Sequence, residues 1–199
     1  MKIVLASKSP RRIELLKGLG WTFDVIPSSK PENVDLSLAP QEVVKALSLQ
    51  KAQDVASCVS SAWVIGADTI VATDGKILGK PEDEDDACSM LLSLEGRTHE
   101  VFTGVTVINP CGEVLTTYTR SLVTMKHLTK SEILSYISCG ESMDKAGAYA
   151  IQGSGALLIS NIEGDYFNVV GLPLMLLSSM LERLGFPLTQ QLCGADKYE

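Results

Sequence analysis

The chain has 199 residues, of which 45% are hydrophobic and 21% are charged, and this composition is typical of one globular domain. It excludes a disordered, collagen-like or low-complexity chain. Lysine and arginine number 17 against 24 acidic residues, so the formal net charge is -7, which disfavours binding to a nucleic acid backbone but not a small basic pocket for a free anion.

The first third of the chain alternates predicted strands with helices. Ser9 and Pro10 precede isoleucine and leucine residues at helical spacing, so we predict a helix that Ser9 caps and that ends at Gly20. A longer helix begins near Pro40, and its apolar positions follow the 3.6-residue period. Short apolar runs predict strands at residues 3–6, 23–26 and 62–67.

The rest of the chain predicts two hairpins and three further helices. The turn around Asp74-Gly75 separates two short strands, and the turn around Pro110-Cys111-Gly112 separates two long strands of alternating pattern. The predicted strands of the first hairpin are residues 70–72 and 77–78, and those of the second are 101–108 and 114–125. One predicted helix follows Pro81, and two others span 131–138 and 172–184. A last strand is predicted at 157–162. Strands that alternate with helices, together with a long hairpin, predict an α/β fold with a mixed sheet.

Cysteine and histidine usage bears on the compartment and on metals. The five cysteines are scattered and form no C-x-x-C pair, so we expect reduced thiols in the cytoplasm. His99 and His127 lie in no cluster with the spacing of zinc ligands, and we expect both on strand surfaces. We expect no signal peptide, because Lys8, Arg11 and Arg12 directly follow the short apolar run at the start of the sequence. We expect no membrane span, because the most apolar run, residues 169–181, is short and contains Gly171 and Pro173.

The segment from Ser7 to Arg12, Ser-Lys-Ser-Pro-Arg-Arg, places hydroxyl groups and three cations at the start of the first predicted helix. The first amides of a helix have no intrahelical partner, and the helix dipole favours an anion there. The alternative is a capped helix with solvated basic side chains. Two arginines at a helix N-terminus are unfavourable unless an anion compensates them, so the segment predicts phosphate binding.

Three further polar residues are candidates for a site. Asp68 follows the buried strand over 62–67, where a carboxylate can bind a metal or accept a proton from water, although capping of the next turn is an alternative. Lys80 lies between Gly79 and Pro81 and can present a fixed ammonium group, or it is an ordinary surface lysine. Gln152, in a glycine-rich stretch, has the donor and acceptor needed to recognise the edge of a base, or it is simply exposed.

These segments occur in an order that resembles the Maf family along nearly the whole chain. The motifs that carry the resemblance are Ser7 to Arg12, Lys51-Ala52, Gly66-Ala67-Asp68-Thr69, Gly79-Lys80-Pro81, Asp144 to Tyr149, and Gly164 to Pro173. The resemblance implies one domain over residues 1–199 with the fold of the inosine triphosphatase-like proteins, in which helices flank an elongated mixed sheet and two lobes enclose a central cleft. Residues 187–199 are then a C-terminal tail beyond the motifs.

The resemblance also implies an activity. Maf proteins hydrolyse nucleoside triphosphates between the α- and β-phosphates, with a divalent metal such as Mg²⁺ or Mn²⁺, and a cytoplasmic homodimer that binds no nucleic acid polymer and no membrane is expected. Asp68 resembles the family's proton acceptor. Arg12, Thr69 and Gln152 fall at the substrate-selecting positions and resemble the subgroup acting on dTTP and UTP. The positions expected to hold phosphates are Ser7, Arg11, Lys51 and Lys80, and those expected to hold the metal are Glu32 and Asp68.

Two alternatives remain at this stage. One is a nucleotide-binding regulator of cell division and septum formation with little turnover, although a pure sensor has no need of a carboxylate that activates water. The other is the same hydrolysis directed at modified pyrimidine nucleotides, such as 5-methyl-UTP and pseudo-UTP.

Overall fold

A computed structural model describes residues 2–35 and 37–192, so Cys193 and the end of the predicted tail lie outside the described residues. The chain divides into two compact units. The first consists of Met1–Asp68, Thr103–Thr119 and Gly171–Glu199, and the second of Thr69–Phe102 and Arg120–Val170.

The described residues contain a sheet of seven strands. These strands are β1 (Ile3–Leu5), β2 (Asp24–Val25), β3 (Trp63–Thr73), β4 (Lys76–Leu78), β5 (Thr98–Ile108), β6 (Val114–Met125) and β7 (Ile159–Glu163). Their order in the sheet is β2-β1-β3-β5-β6-β7, and β4 pairs with β3. β1 is parallel to both β2 and β3, whereas β4 is antiparallel to β3 and β7 to β6, so the predicted mixed sheet is confirmed.

The α-helices of the described residues are α1 (Pro10–Gly18), α2 (Pro40–Ala56), α3 (Glu84–Leu94), α4 (Lys130–Ile137), α5 (Tyr166–Val170), α6 (Leu174–Arg183) and α7 (Leu188–Leu192). Two short 3₁₀ helices span Ala146–Ala148 and Gly153–Leu158. None of the α-helices in this part of the chain has the length and apolar character needed to cross a bilayer. The described cysteines, Cys58, Cys88, Cys111 and Cys139, are free thiols.

In the first unit, helices cover both faces of the sheet. Successive side chains of a strand point to opposite faces, and β3 follows this rule. Trp63, Ile65 and Ala67 belong to a core that includes residues of α1 and α6, whereas Val64 belongs to a second core with Ala52 of α2. By the same alternation Asp68 lies on the face that α2 covers.

The second unit has a core of its own. It combines apolar residues of α3 and α4 with Val101 of β5 and Val123 of β6. The prediction that His99 lies on a strand surface is wrong, because the residue is 1% exposed. Its Nε2 atom lies 2.7 Å from the hydroxyl group of the buried Tyr149, which supplies the polar partner that a buried imidazole requires.

Some predicted boundaries differ from the observed ones. The strand predicted to end before Asp68 continues through it to Thr73. Ser9 is the N-cap of α1, as predicted, but its side chain makes no capping hydrogen bond. The strand predicted from residue 157 begins at Ile159, and the segment predicted as a tail contains α7. α5 and the two 3₁₀ helices had no counterpart in the prediction.

Candidate active site

An ion-pair cluster in the first unit joins three of the predicted site residues. The Lys51 Nζ atom, on α2, lies 2.5 Å from Asp68 Oδ1 on β3 and 2.8 Å from Glu32 Oε1. The side chains of Lys51 and Asp68 are 15% and 12% exposed, whereas that of Glu32 is 58% exposed. One ammonium group therefore bridges two carboxylates, of which one is buried and the other is open to solvent.

Two glycines allow α2 to lie close enough to the sheet for this contact. A Cβ atom at Gly66 of β3 would lie 2.9 Å from the Ala52 Cβ, and one at Gly104 of β5 would lie 2.9 Å from the Lys45 backbone nitrogen. Carbon atoms in good contact are about 3.5–4.0 Å apart, so any side chain at these positions pushes the helix outward. The close approach of α2 therefore determines where Lys51 meets Asp68.

Arg12 of α1 connects three segments of the first unit. Its Nε atom donates to the Gly171 carbonyl at 2.7 Å, and its Nη1 atom donates to the Ala67 carbonyl at 2.8 Å and to Ser7 Oγ at 3.2 Å. The residue is 8% exposed. The two arginines at this helix start predict a bound anion that compensates them, but for Arg12 the acceptors within the protein contribute that compensation.

The electrostatics of the cluster favour a role for Asp68 in proton transfer. Burial raises the pKa of the Asp68 carboxyl, and the positive charges of Lys51 and Arg12 act in the opposite direction. Burial also lowers the pKa of Arg12, an effect that the charge of Asp68 opposes. A carboxylate with a raised pKa is a stronger base than an ordinary aspartate, while the nearby cations keep its ionised form accessible.

The loop that carries Glu32 is held by Asp54, a residue that the sequence analysis did not single out. Asp54 Oδ2 accepts hydrogen bonds from the Ser28 hydroxyl at 2.9 Å and from the Ser29 amide at 2.8 Å. These bonds, with a contribution from Lys30, lower the pKa of Asp54 to about 2. An aspartate in the last turn of a helix, where the helix dipole disfavours negative charge, is the sequence signal that would have identified this anchor.

The remaining candidates, Thr69, Lys80 and Gln152, lie in the second unit. Thr69 follows Asp68 in β3 and is half-buried, and Lys80 is exposed. The Gly79 carbonyl, next to Lys80, accepts a hydrogen bond from the Gly147 amide at 3.0 Å. Gln152 is half-buried and directly precedes the second 3₁₀ helix.

The structure thus brings together a subset of the predicted residues. The residues that direct contacts connect in the first unit are Ser7 with Arg12, and Glu32 with Lys51 and Asp68. Arg11 lies in the first turn of α1, where its charge acts on Arg12, and Arg12 in turn acts on Asp68. Arg12 and Asp68 therefore lie close enough for their charges to act on each other. Such a cluster combines a buried base with cations, which is the arrangement required to activate water beside a phosphate.

Comparison with known proteins identifies the family. The chain matches a family described as Maf-like protein over residues 2–184. A dTTP/UTP pyrophosphatase from Dictyoglomus thermophilum is 51% identical over 189 residues, which cover 94% of this chain and 98% of that protein. Proteins of the same name from Moorella thermoacetica and Bacillus pumilus are 51% and 49% identical, covering 92% of this chain in each case and 95% and 97% of those proteins.

Among solved structures, the Staphylococcus aureus Ham1 protein is similar with 17% identity and a TM-score of 0.45, over 63% of this chain and 72% of its own. The family match spans both units of the structure and all the residues of the ion-pair cluster. The chain therefore belongs to the Maf-like protein family.

Proposed function

We propose that this protein is a nucleoside triphosphate pyrophosphatase that hydrolyses dTTP and UTP to the nucleoside monophosphate and pyrophosphate. Relatives that are about half identical over nearly their whole length carry the name dTTP/UTP pyrophosphatase. The structural observation that carries the proposal is Asp68, a buried carboxylate of raised pKa that contacts Lys51 and interacts with Arg12.

Asp68 acts as the general base in this proposal. It accepts a proton from the water that attacks the α-phosphorus, and its raised pKa suits this role. Lys51 orients the carboxylate through their 2.5 Å contact, and its charge favours phosphate oxygens as they gain negative charge. Ser7, Arg11 and Lys80 bind phosphate oxygens. Arg12 holds the backbone of β3 at Ala67 in place, so that Asp68 is held toward α2.

The donor set fits a divalent cation. Glu32 and Asp68 both contact Lys51 Nζ, and hard cations such as Mg²⁺ and Mn²⁺ bind one or two carboxylates together with substrate phosphates. Among the described residues no group of three or more His, Cys, Asp or Glu side chains could hold a metal, so phosphate and water oxygens would complete the coordination. When bound, the cation stabilises negative charge on the phosphates.

Thr69 and Gln152 select the base. The Gln152 amide offers both a donor and an acceptor, which matches the imide edge shared by thymine and uracil. Because this edge is the same in both bases, one site accepts dTTP and UTP, and also analogues modified at other ring positions, such as 5-methyl-UTP and pseudo-UTP. A homodimer and a cytoplasmic location remain predictions, and sedimentation tests the first of them.

Pyrophosphate release from dTTP and UTP in the presence of Mg²⁺ or Mn²⁺ tests the proposal. Asp68→Asn should lower kcat by about 10²- to 10⁴-fold, the usual contribution of a general base, while nucleotide binding is retained. Asp74→Asn is the matched control, because Asp74 is an exposed aspartate paired with Arg97 in a surface turn. Nucleotide binding without turnover by the wild-type protein would contradict the proposal and favour the regulator.

A further inference from the structure

The segment that carries Gln152 is closed into a tight loop within the second unit. Gly155 approaches Ala150 so closely that a Cβ atom at Gly155 would lie 3.0 Å from the Ala150 nitrogen. Gly153, with a φ of 63°, adopts a backbone conformation that favours glycine. Gln152 thus projects from a loop whose two ends, at residues 150 and 155, touch each other.

One end of this loop is attached to buried aromatic side chains. The Ala150 amide donates to the Tyr136 hydroxyl at 3.0 Å. The preceding residue, Tyr149, is paired through its own hydroxyl with His99. Tyr136 and Tyr149 are 4% and 5% exposed, so this end is fixed by the core of the unit.

The other end is held by a single carboxylate that the proposed mechanism does not use. Glu141 Oε1 accepts a hydrogen bond from the Ser154 amide at 3.2 Å, and Oε2 accepts one from the Gly155 amide at 3.3 Å. A Cβ atom at Gly153 would lie 2.8 Å from Glu141 Oε1, so glycine is what allows the carboxylate to lie this close. The bond to the Ser154 amide is the main reason why the pKa of Glu141 is lowered.

We propose that Glu141 is a positioning residue for base recognition, because it fixes the loop on which Gln152 is presented. This inference rests on the proposed function, in which Gln152 binds the thymine or uracil edge. An amide side chain can discriminate donors from acceptors only if its backbone is held in place. The contacts of Glu141 fix Ser154 and Gly155, which follow Gln152 by two and three positions. A site built to hydrogen-bond a substrate group discriminates strongly against analogues that lack it.

The test compares Glu141→Gln with the wild type. The substitution keeps the shape of the side chain but points an NH₂ group at an amide donor, so one hydrogen bond is lost. We expect KM for dTTP and UTP to rise roughly 3- to 10-fold, the effect of one net hydrogen bond, with kcat changed less than about twofold. The preference for UTP over CTP should fall by a similar factor, and hydrogen–deuterium exchange should accelerate in a peptide covering residues 150–157.

Glu132→Gln is the matched control. Glu132 also accepts hydrogen bonds from a backbone amide and a hydroxyl group in the second unit, but both belong to Thr129 at the start of α4. This variant should lose a comparable amount of stability with unchanged KM and unchanged exchange at 150–157. An active wild type whose KM and base preference are the same in Glu141→Gln would overturn the role of Glu141 alone, and so would unchanged exchange. A wild type that releases no pyrophosphate from either nucleotide would instead overturn the proposed function.

Discussion

Gly66→Ala tests whether the packing of α2 on the sheet determines the geometry of the ion-pair cluster. The new Cβ atom would lie 2.4 Å from the Ser48 carbonyl oxygen and 2.9 Å from the Ala52 Cβ, whereas real contacts of a Cβ atom are at least 3.0 Å, so the helix must retreat by at least about 0.6 Å. The neighbouring contacts are to the backbone of Ser48 and Ala52, so rotation of a flexible side chain cannot relieve them. The retreat carries Lys51 away from Asp68.

We expect Gly66→Ala to lower both the stability of the protein and its catalytic rate. Overpacking of this kind destabilises a protein by about 1–3 kcal/mol, and at about 2–4 °C per kcal/mol for a chain of this size Tm should fall by roughly 2–12 °C. Displacement of a catalytic group by 1 Å can reduce a rate about 10²-fold, so a retreat of this size should lower kcat for dTTP by about tenfold. Thermal unfolding and pyrophosphate release measure the two effects on the same preparation.

Two further glycine substitutions separate packing from catalysis. Gly18→Ala is the neutral control, because a Cβ atom at this position contacts nothing within 4 Å and the residue needs no positive φ. Gly104→Ala presses on α2 near Lys45, six residues and about 9 Å along the helix from Lys51, so it should lower Tm similarly but kcat less. A Gly66→Ala protein with the Tm and kcat of the wild type would refute the reasoning.

Three other substitutions address charge and protonation. Asp54→Asn lowers Tm at pH 7, and the difference from the wild type disappears as the pH falls from about 4 to about 2, because the folded pKa of Asp54 is about 2 against about 4 in the unfolded chain. His99 has a folded pKa of about 4 against about 6.5 when unfolded, so the wild type loses up to about 3 kcal/mol of unfolding free energy between pH 6.5 and pH 4, whereas His99→Gln loses less. Lys51→Met removes the cation that bridges Glu32 and Asp68, so it should bind Mn²⁺ several-fold more tightly in titration calorimetry without nucleotide, while turnover falls.

A specific result would contradict each of these three predictions. A constant Tm difference between pH 7 and pH 2 for Asp54→Asn would exclude the hydrogen-bonded carboxylate as its cause. Parallel Tm curves for the wild type and His99→Gln would mean that His99 does not titrate differently in the two states. Mn²⁺ affinity that is unchanged or weaker in Lys51→Met, with Lys45→Met as the control on the same helix, would mean that Lys51 does not compete for the carboxylates.

Local signals predicted most of the helices and hairpins. Ser9-Pro10 marked the start of α1, and Gly20, with a φ of 73°, lies just beyond its end. The turn before β6 follows from Asn109, whose side-chain oxygen accepts from the Cys111 and Glu113 amides. These features depend on residues close in sequence, so the sequence alone was sufficient to predict them.

Features that depend on distant residues were missed. The apolar run predicts a strand that ends before Asp68, whereas β3 continues through it, and the ion pair with the distant Lys51 gives this buried carboxylate the partner that it requires inside a strand. His99 was placed on the surface because its buried partner, Tyr149, is 50 residues away in the chain. The short helix α7 depends on Gln191, whose side-chain amide donates to the Ser178 and Phe186 carbonyls.

The two internal cations of the first unit differ in how readily they can turn to a ligand. Arg12 donates to the Ala67 and Gly171 carbonyls, and a phosphate that took its place would leave buried carbonyl groups without a donor. Lys51 bridges carboxylates on a flexible stem, and Glu32, one of its two partners, is largely exposed, so water can solvate that carboxylate after the pair separates. We therefore expect an anion that reaches this cluster to draw Lys51 toward itself and to leave Arg12 in place. The two cations come from separate sequence motifs and differ in their contacts: Arg12 donates to backbone carbonyls and holds β3 where Asp68 lies, whereas Lys51 contacts two carboxylates, one of them exposed.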